Sequence, residues 1–425
     1  MVLLRKIGGR FEAIHRAMRA TAGRARSYAI SSMCIALLLF GMLAPFVAAI
    51  RTVAAADRGA RHPDVSVFAA SVVLINPFLS SSAGGSTYRT LTFSHTAAGS
   101  TQTNVDAWFD VTDVALKSVA NGGQVVNQNH IRVASDTAGT TMLKYEIRIY
   151  NASTGRVAGR VLIASYSSSV DSAVYLVFND NGITTFQGNV AGMYGDAGNS
   201  LTFRGSDGST VELTEAGGSG YDLSTSTSAP TAITGVFGGA VNFVHSSMQY
   251  LYRATGSQAR IGASGAAWTI SMFYTPKTDY STVRMIATHA NGGSVRNFSI
   301  YTDVAPNSGK ILLVYTAGGS FIGIQSSFGL TIGTRYMITF THDGTNFKLY
   351  INGALDGGYA PGGSAPDNPT GGYFILGTLN GSEAAYADQG EIEQFELVKG
   401  SYWTADRVAL KYNLATANGT YVTLT

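Results

Sequence analysis

Carboxylates crowd one short stretch late in this 425-residue chain, where Glu391-Ile392-Glu393-Gln394-Phe395-Glu396 places three glutamates within six positions. Two chemistries call for such residues: proton transfer by paired carboxyl groups, and the binding of a hard cation. On a regular strand Glu391 and Glu393 face one way and Glu396 the other. A bulge with one extra residue would bring Glu396 back beside them. For a cation, Asp388, Glu391 and Glu393 with nearby carbonyls supply only part of the about six to eight oxygens that calcium takes. The sequence requires no cofactor, and calcium is the one it admits.

A second set of residues suits binding. Sugars stack on aromatic faces and pair their hydroxyls with planar polar groups, usually on loops over a rigid sandwich. The stretches 356–372 and 380–389 carry Tyr359, Asp367, Asn368, Asn380, Tyr386 and Asp388, and these are read as a ligand edge. Elsewhere the signals are weaker. His245, His289 and His342 lack the spacing of a zinc site. Asp136, Glu146, Asp171, His95 and His130 read as structural, with Glu146 and Arg148 alternating on one strand face where a cross-strand ion pair is the ordinary expectation. Asn151-Ala152-Ser153 is a glycosylation sequon only in a eukaryotic secretory route, and otherwise an Asn-rich turn.

These residues need a scaffold, and its pattern is β. From Tyr336 to Leu355 the chain reads YMITFTHDGTNFKLYINGAL, with Asp343-Gly344 and Asn352-Gly353 supplying the φ > 0 conformations of tight hairpin turns. Phe347, Leu349 and Ile351 share one face; Lys348 and Tyr350 share the other. Earlier, YRTLTF, AWFDV, HIRVAS, KYEIRIY, RVLIAS and AVYLVF are strand-length runs separated by turn residues. LTFR and TVELT about Gly205-Ser206-Asp207-Gly208 read as one more hairpin. Fifty glycines and only 13% charged residues suit sandwiches with many turns.

Two resemblances follow from these motifs. GGAVNFVHSSMQYL, AWTISMFYTP, THDGTNFKLYING, YFILGTLNG and GEIEQFELVKG, in that order, with Trp403 and Tyr412-Asn413 completing the tail, resemble the LamG-like, concanavalin A-like jelly roll. Phe273 stands where that family often has Trp, and Glu393 where it usually has Asp. The resemblance implies a glycan-binding or adhesive module, sometimes assisted by calcium. Glu391 to Glu396 also resembles the E-I-D-x-x-E signature of retaining endo-β-glucanases of the same fold, which implies a nucleophile and an acid/base glutamate about 5 Å apart. Against that stand the glutamate at the middle position, the place of the motif near the C-terminus, and only two tryptophans in this half, Trp268 and Trp403. Upstream, YRTLTFSH, GGQVVNQNHIRVAS, LKYEIRIYNASTG and SSSVDSAVYLVFND resemble a domain of unknown function that often precedes LamG modules in bacterial surface and phage-associated proteins.

The N-terminal region adds a destination. Arg5, Lys6, Arg10, Arg16, Arg19, Arg24 and Arg26 precede an uncharged run from Ser27 to Ile50, long enough to span a bilayer at about 20 residues per crossing. The basic side stays in the cytoplasm, and everything downstream is expected outside. Ala54-Ala55-Ala56 offers a cleavage site of the A-x-A kind; an uncleaved anchor is the alternative. The 65–79 run is too short to span and reads as a buried strand. Without the leader the formal net charge of +3 turns slightly acidic, which leaves no nucleic-acid footprint. The lone cysteine, Cys34, lies in the leader, so the rest of the chain has no disulfide and no thiolate chemistry.

The expectation is therefore an all-β protein of two consecutive β-sandwich domains after an N-terminal membrane-targeting helix. Its parts are 1–56 basic n-region and signal peptide or anchor, 57–87 apolar segment and linker, 88–215 first sandwich, 216–234 connector and 235–425 jelly roll. The expected role is exported, non-catalytic binding of glycan or another surface ligand. The alternatives are a structural or adhesive virion or cell-envelope protein without sugar binding, and a glycoside hydrolase working through Glu391 and Glu396.

Overall fold

Alternating apolar and polar residues become strands through most of the chain described by the computed structural model. It covers residues 87–425 apart from 181, 255–256, 263–265, 279, 292–294, 305, 307–308, 360–365, 368–371 and 380–385. The leader, the expected membrane-targeting helix and the 65–79 run lie outside the described residues. Among the described residues no helix is long and apolar enough to cross a membrane.

Six strands open this part: β1 (Thr87–Phe93), β2 (Gln102–Thr112), β3 (Arg132–Ala134), β4 (Tyr145–Asn151), β5 (Arg156–Tyr166) and β6 (Ser172–Phe178). One antiparallel sheet is ordered β2-β5-β4, and a second contains β1-β6-β3. Val105, Ala107, Phe109 and Val111 alternate to one side of β2 and join Leu91, Phe93, Leu176 and Phe178 in one core. The intervening Asp106 and Trp108 face the other way, and they are buried too.

Helix α1 (Val190–Asp196), capped by the Asn189 side chain, leads to β7 (Asn199–Phe203). Short strands β8 (Ser224–Thr225) and β9 (Thr231–Thr234) follow. The jelly roll then runs through β10 (Gly239–Asn242), β11 (Leu251–Arg253), β12 (Trp268–Pro276), β13 (Arg284–Ala290), β14 (Arg296–Thr302), β15 (Lys310–Ala317) and β16 (Ser320–Gly329). It continues with β17 (Tyr336–His342), β18 (Phe347–Ile351), β19 (Ala354–Tyr359), β20 (Tyr373–Leu376) and β21 (Gly390–Lys399). Its sheets are ordered β19-β18-β17-β12-β21-β10-β9 and β16-β15-β14-β13-β20-β11-β8. The β17-β18-β19 meander turns where the sequence places its turns: Asn352 and Gly353 take φ of 51° and 80°, and Gly344 takes 100°. Trp268, Ile270, Phe298, Phe340, Phe347 and Phe374 fill the space between the two sheets.

Two pairings differ from the sequence reading. The expected hairpin of LTFR with TVELT shrinks to a bridge between Ser206 and Val211, and β7 pairs instead with β21. The reason is burial: Leu201 and Phe203 enter the jelly-roll core, where Phe203 stacks on Phe374 at 5.7 Å. The tail expected to complete the jelly roll forms α2 (Ala405–Thr416), α3 (Asn418–Tyr421) and β22 (Val422–Leu424), and β22 pairs with β1. An uncovered β1 edge would present unpaired backbone groups, and Val422 adds a buried side chain to the core behind it.

The described residues form one compact unit. The outer face of the β2-β5-β4 sheet packs on β12, β21 and α2, with Phe237 wedged between Trp108 at 4.5 Å and Phe273 at 4.9 Å, ring centre to ring centre.

Candidate functional site

The carboxylates of β21 are positioned by a bulge. Ser271 pairs with Glu396 and Phe273 with Glu393, so Met272 alone stands opposite two residues, and Gln394 takes φ of 58°. The extra residue carries Ile392, Phe395 and Leu397 into the jelly-roll core, while Glu393, Gln394, Glu396 and Val398 face the first sandwich. The bulge that a catalytic carboxylate pair would need is thus present, but Glu393 and Glu396 are both buried.

Each glutamate already has partners. Glu391 pairs with Lys277 at 2.7 Å. Glu393, buried, accepts the backbone N–H groups of Val236 (3.1 Å) and Phe237 (2.5 Å); burial pushes its pKa up, with those amides and Arg335 opposing. Glu396 lies in a closed ion network. Arg160 Nη1 donates to Asp106 Oδ2 at 2.5 Å and to Glu396 Oε1 at 2.7 Å, and Lys411 Nζ reaches both carboxylates at 2.8–3.2 Å. Burial works against ionising Asp106, but Lys411, Arg160 and Arg407 outweigh it and hold its pKa at about 2. The Arg160 guanidinium lies 5.2 Å from the Phe237 ring centre, and the Lys411 ammonium 4.5 Å from that of Trp403.

A second network continues along the same interface. Glu146 accepts from Arg204 (2.6 Å) and Tyr194 (2.7 Å), Arg148 pairs with Glu212 (2.8 Å), and Gln394 donates to Tyr194 at 3.2 Å. Glu146 is ion-paired, but not across the strands as expected: its neighbour on β5, Arg160, turns to Asp106 and Glu396, and Arg204 at 2.6 Å and Arg148 on its own strand at 3.4 Å take its place. His95 and Asp171 pair at the surface, and Asp136 accepts from the Thr140 and Thr141 amides.

The calcium set fails as a set. Asp388 is buried against Tyr274, whose hydroxyl donates to Oδ1 at 2.8 Å, while Glu391 belongs to Lys277 and Glu393 to backbone amides. Three carboxylates with three separate partners do not fit one cation, and among the described residues no metal-holding cluster of acidic, His or Cys side chains occurs. Burial pushes the Asp388 carboxyl up to about 7, with the Tyr274 hydroxyl opposing.

The expected ligand edge divides. Asp367 sits at the turn between β15 and β16, accepting the N–H of Gly318 at 3.1 Å and of Gly319 at 3.4 Å, while its own N–H donates to Thr316 O. Tyr386 and Asp388 lie at the opposite end of the sheet, where Asp388 N–H donates to Gly377 O just past β20. The four residues of β20 separate the two ends by roughly 13 Å at about 3.3 Å per residue. Tyr386 is exposed; Asp388 is not. Tyr359 ends β19, and Asn368 and Asn380 lie outside the described residues.

Around Asp367 the register assembles a row that was not singled out from the sequence. Tyr373 pairs with Ala290 and Ala290 with Arg296; the Arg296 N–H donates to Thr316 Oγ1 at 2.9 Å, and Thr316 pairs with Phe321. Phe321 and Tyr373 are 61% and 42% exposed, and the Arg296 guanidinium lies 5.3 Å from the Phe321 ring centre. The Gly318-Gly319 turn followed by an aromatic residue was the available signal. The pairing of Glu396 with Arg160 had none, because the two stand 236 positions apart.

Residues 247–406 match the family model of the concanavalin A-like lectin/glucanases superfamily. No curated protein matches the chain. Among solved structures, the binding domain of Paraclostridial Mosquitocidal Protein 1 is similar at 16% identity and a TM-score of 0.38, over 50% of this chain and 52% of that one. The botulinum neurotoxin serotype D ligand binding domain in complex with N-acetylneuraminic acid gives 12% and 0.39, over 51% and 50%. Domain 4 of AbnA, a GH43 extracellular arabinanase from Geobacillus stearothermophilus, in complex with arabinotriose, gives 15% and 0.39, over 51% of this chain and 98% of that one. The chain thus spans about half the length of the toxin domains.

Proposed function

We propose that this chain, whose residues 247–406 match a superfamily of lectins and glucanases, is an exported binding protein that takes a glycan at the Phe321–Tyr373 end of its jelly roll. The observation that carries the reading is the row of exposed Phe321 and Tyr373 with half-buried Arg296 between them, beside Asp367, which brings ring faces and charged planar groups to one end of the sheet. Rings stack on the C–H faces of a sugar, and a guanidinium and a carboxylate suit its hydroxyls. Export is supported by the basic segment and uncharged run of the leader, and it places the protein outside the cell or on the cell envelope.

The reading is non-catalytic. Glu391 is engaged by Lys277, and Glu396, engaged by Arg160 and Lys411, is buried against the first sandwich. The test is a glycan array probed with and without calcium, using the parent chain and a Phe321→Ala/Tyr373→Ala variant. Binding by the parent that the variant loses at least tenfold is expected, about 1.4 kcal/mol or more. An array on which the parent binds nothing ends the reading, and release of reducing ends from β-glucan by the parent ends its non-catalytic part.

A further inference from the structure

At the interface between the first sandwich and the jelly roll, a primary amine and a carboxyl group are held together out of water. Lys411 Nζ lies 2.9 Å from Asp106 Oδ1 and 2.8 Å from Oδ2, which sets the nitrogen roughly 3–3.5 Å from Cγ, in front of the two oxygens; a rotation of the carboxyl group that turns its face to the nitrogen precedes attack. Glu396 offers both oxygens to the same nitrogen, at 3.2 and 3.0 Å. Arg160 Nη1 donates to Asp106 Oδ2. Trp403 covers the amine, and Trp108 and Phe237 line the site. The cavity they leave has a volume of about 10 Å³, room for about one water molecule.

We propose that Lys411 and Asp106 condense to an isopeptide bond that joins α2 covalently to β2, with Glu396 carrying the proton. The reactant state is the ion pair. A proton passes from the ammonium through Glu396 to a carboxylate oxygen of Asp106, leaving a neutral amine facing a carboxylic acid. The amine lone pair attacks Cγ, and the oxygen that becomes negative in the tetrahedral intermediate is Oδ2, which already holds the Arg160 donor. Glu396 takes the second proton from nitrogen and returns it to the other oxygen; the C–O bond breaks and water leaves. Ammonium plus carboxylate becomes amide plus water, neutral on both sides, and no oxidant or other reactant enters. Exclusion of bulk water favours the amide over its hydrolysis. The bond would close 106 to 411 into a covalent ring independently of what the sheet edge binds.

The test is peptide mapping of the purified full chain, because cleavage of the leader does not affect it. Trypsin cuts after Arg89 and Lys117 and after Arg407, and it does not cut at an acylated lysine. The expected product is 90–117 joined to 408–425, one water lighter than the two peptides together, with fragmentation placing the link at Asp106 and Lys411. Lys411→Arg keeps the positive charge and is expected to give unlinked peptides and slower migration on a denaturing gel. Glu396→Gln is expected to leave a larger unlinked fraction at early times. Recovery of 90–117 and 408–411 as separate peptides from the parent chain after long incubation overturns the proposal, as does a link from Lys411 to Glu396. Neither outcome depends on whether a variant folds.

Discussion

Asp388 shows at the residue scale what sequence and structure each contribute. Its place in a loop that also carries Asn380 and Tyr386 suggested a ligand group, yet its oxygen meets Tyr274 in the jelly-roll interior. Loop composition reports which residues are available for binding, but burial depends on the strands packed around them. The carboxyl pKa of about 7 lies above the ordinary 3.8, so the folded state holds the proton more tightly than the unfolded chain. The corresponding stability is fully present below about pH 4 and is lost as pH rises through about 7, on the order of a few kcal/mol. Urea unfolding followed across that range should show the decline in the parent, and Asp388→Asn should flatten it. In the unlinked ion-pair state Asp106 has the opposite sign: with a pKa near 2, its contribution is lost as pH falls below about 4 toward 2, and a chain linked to Lys411 lacks this titration. The glycan prediction also belongs to this scale, since Phe321 and Tyr373 are single exposed rings.

At the scale of elements, the alternation and the Asn-Gly and Asp-Gly turns of β17 to β19 were legible, because hairpins are set by neighbouring residues. The bulge in β21 was legible as a condition: only an extra residue could align Glu396 with Glu391 and Glu393, and Gln394 supplies it. Which face the aligned carboxylates would meet was not legible. That depends on β2 and β5, more than two hundred positions upstream of Glu396. The exchanges of β7 and β22 escaped for the same reason, since short strands carry little pattern and their partners are remote. Removing 422–425 should uncover the β1 edge and take Val422 out of the core, at a cost of about 2–4 kcal/mol. Thermal melting would measure the loss, and an unchanged midpoint with no added self-association would remove β22 from the account of stability.

At the scale of the whole molecule, two sandwiches share one interface of rings and balanced ions. Phe237 is its central wedge, and Phe237→Ala should cost about 3–5 kcal/mol by vacating the space between Trp108 and Phe273. Both sandwiches should respond together: calorimetry of the parent is expected to give a single transition, and two well-separated transitions would show that the interface does not couple them. An interface of this kind also explains why the class of fold was readable while the ion network was not. Each half carries its own periodicity, whereas Asp106, Arg160, Glu396 and Lys411 become neighbours only after the halves have packed.

The pairing of β22 with β1 bears on the order of assembly. A ribosome makes β1 before any other described strand and β22 after all of them, so the edge of the first sheet waits for the last of its partners. Contacts this distant in sequence give the first sandwich a high contact order and a large loop-closure cost, which slow its completion. The jelly roll, whose hairpins are mostly local, can form while that edge is still open. The first sandwich to be synthesised is then the second to be finished.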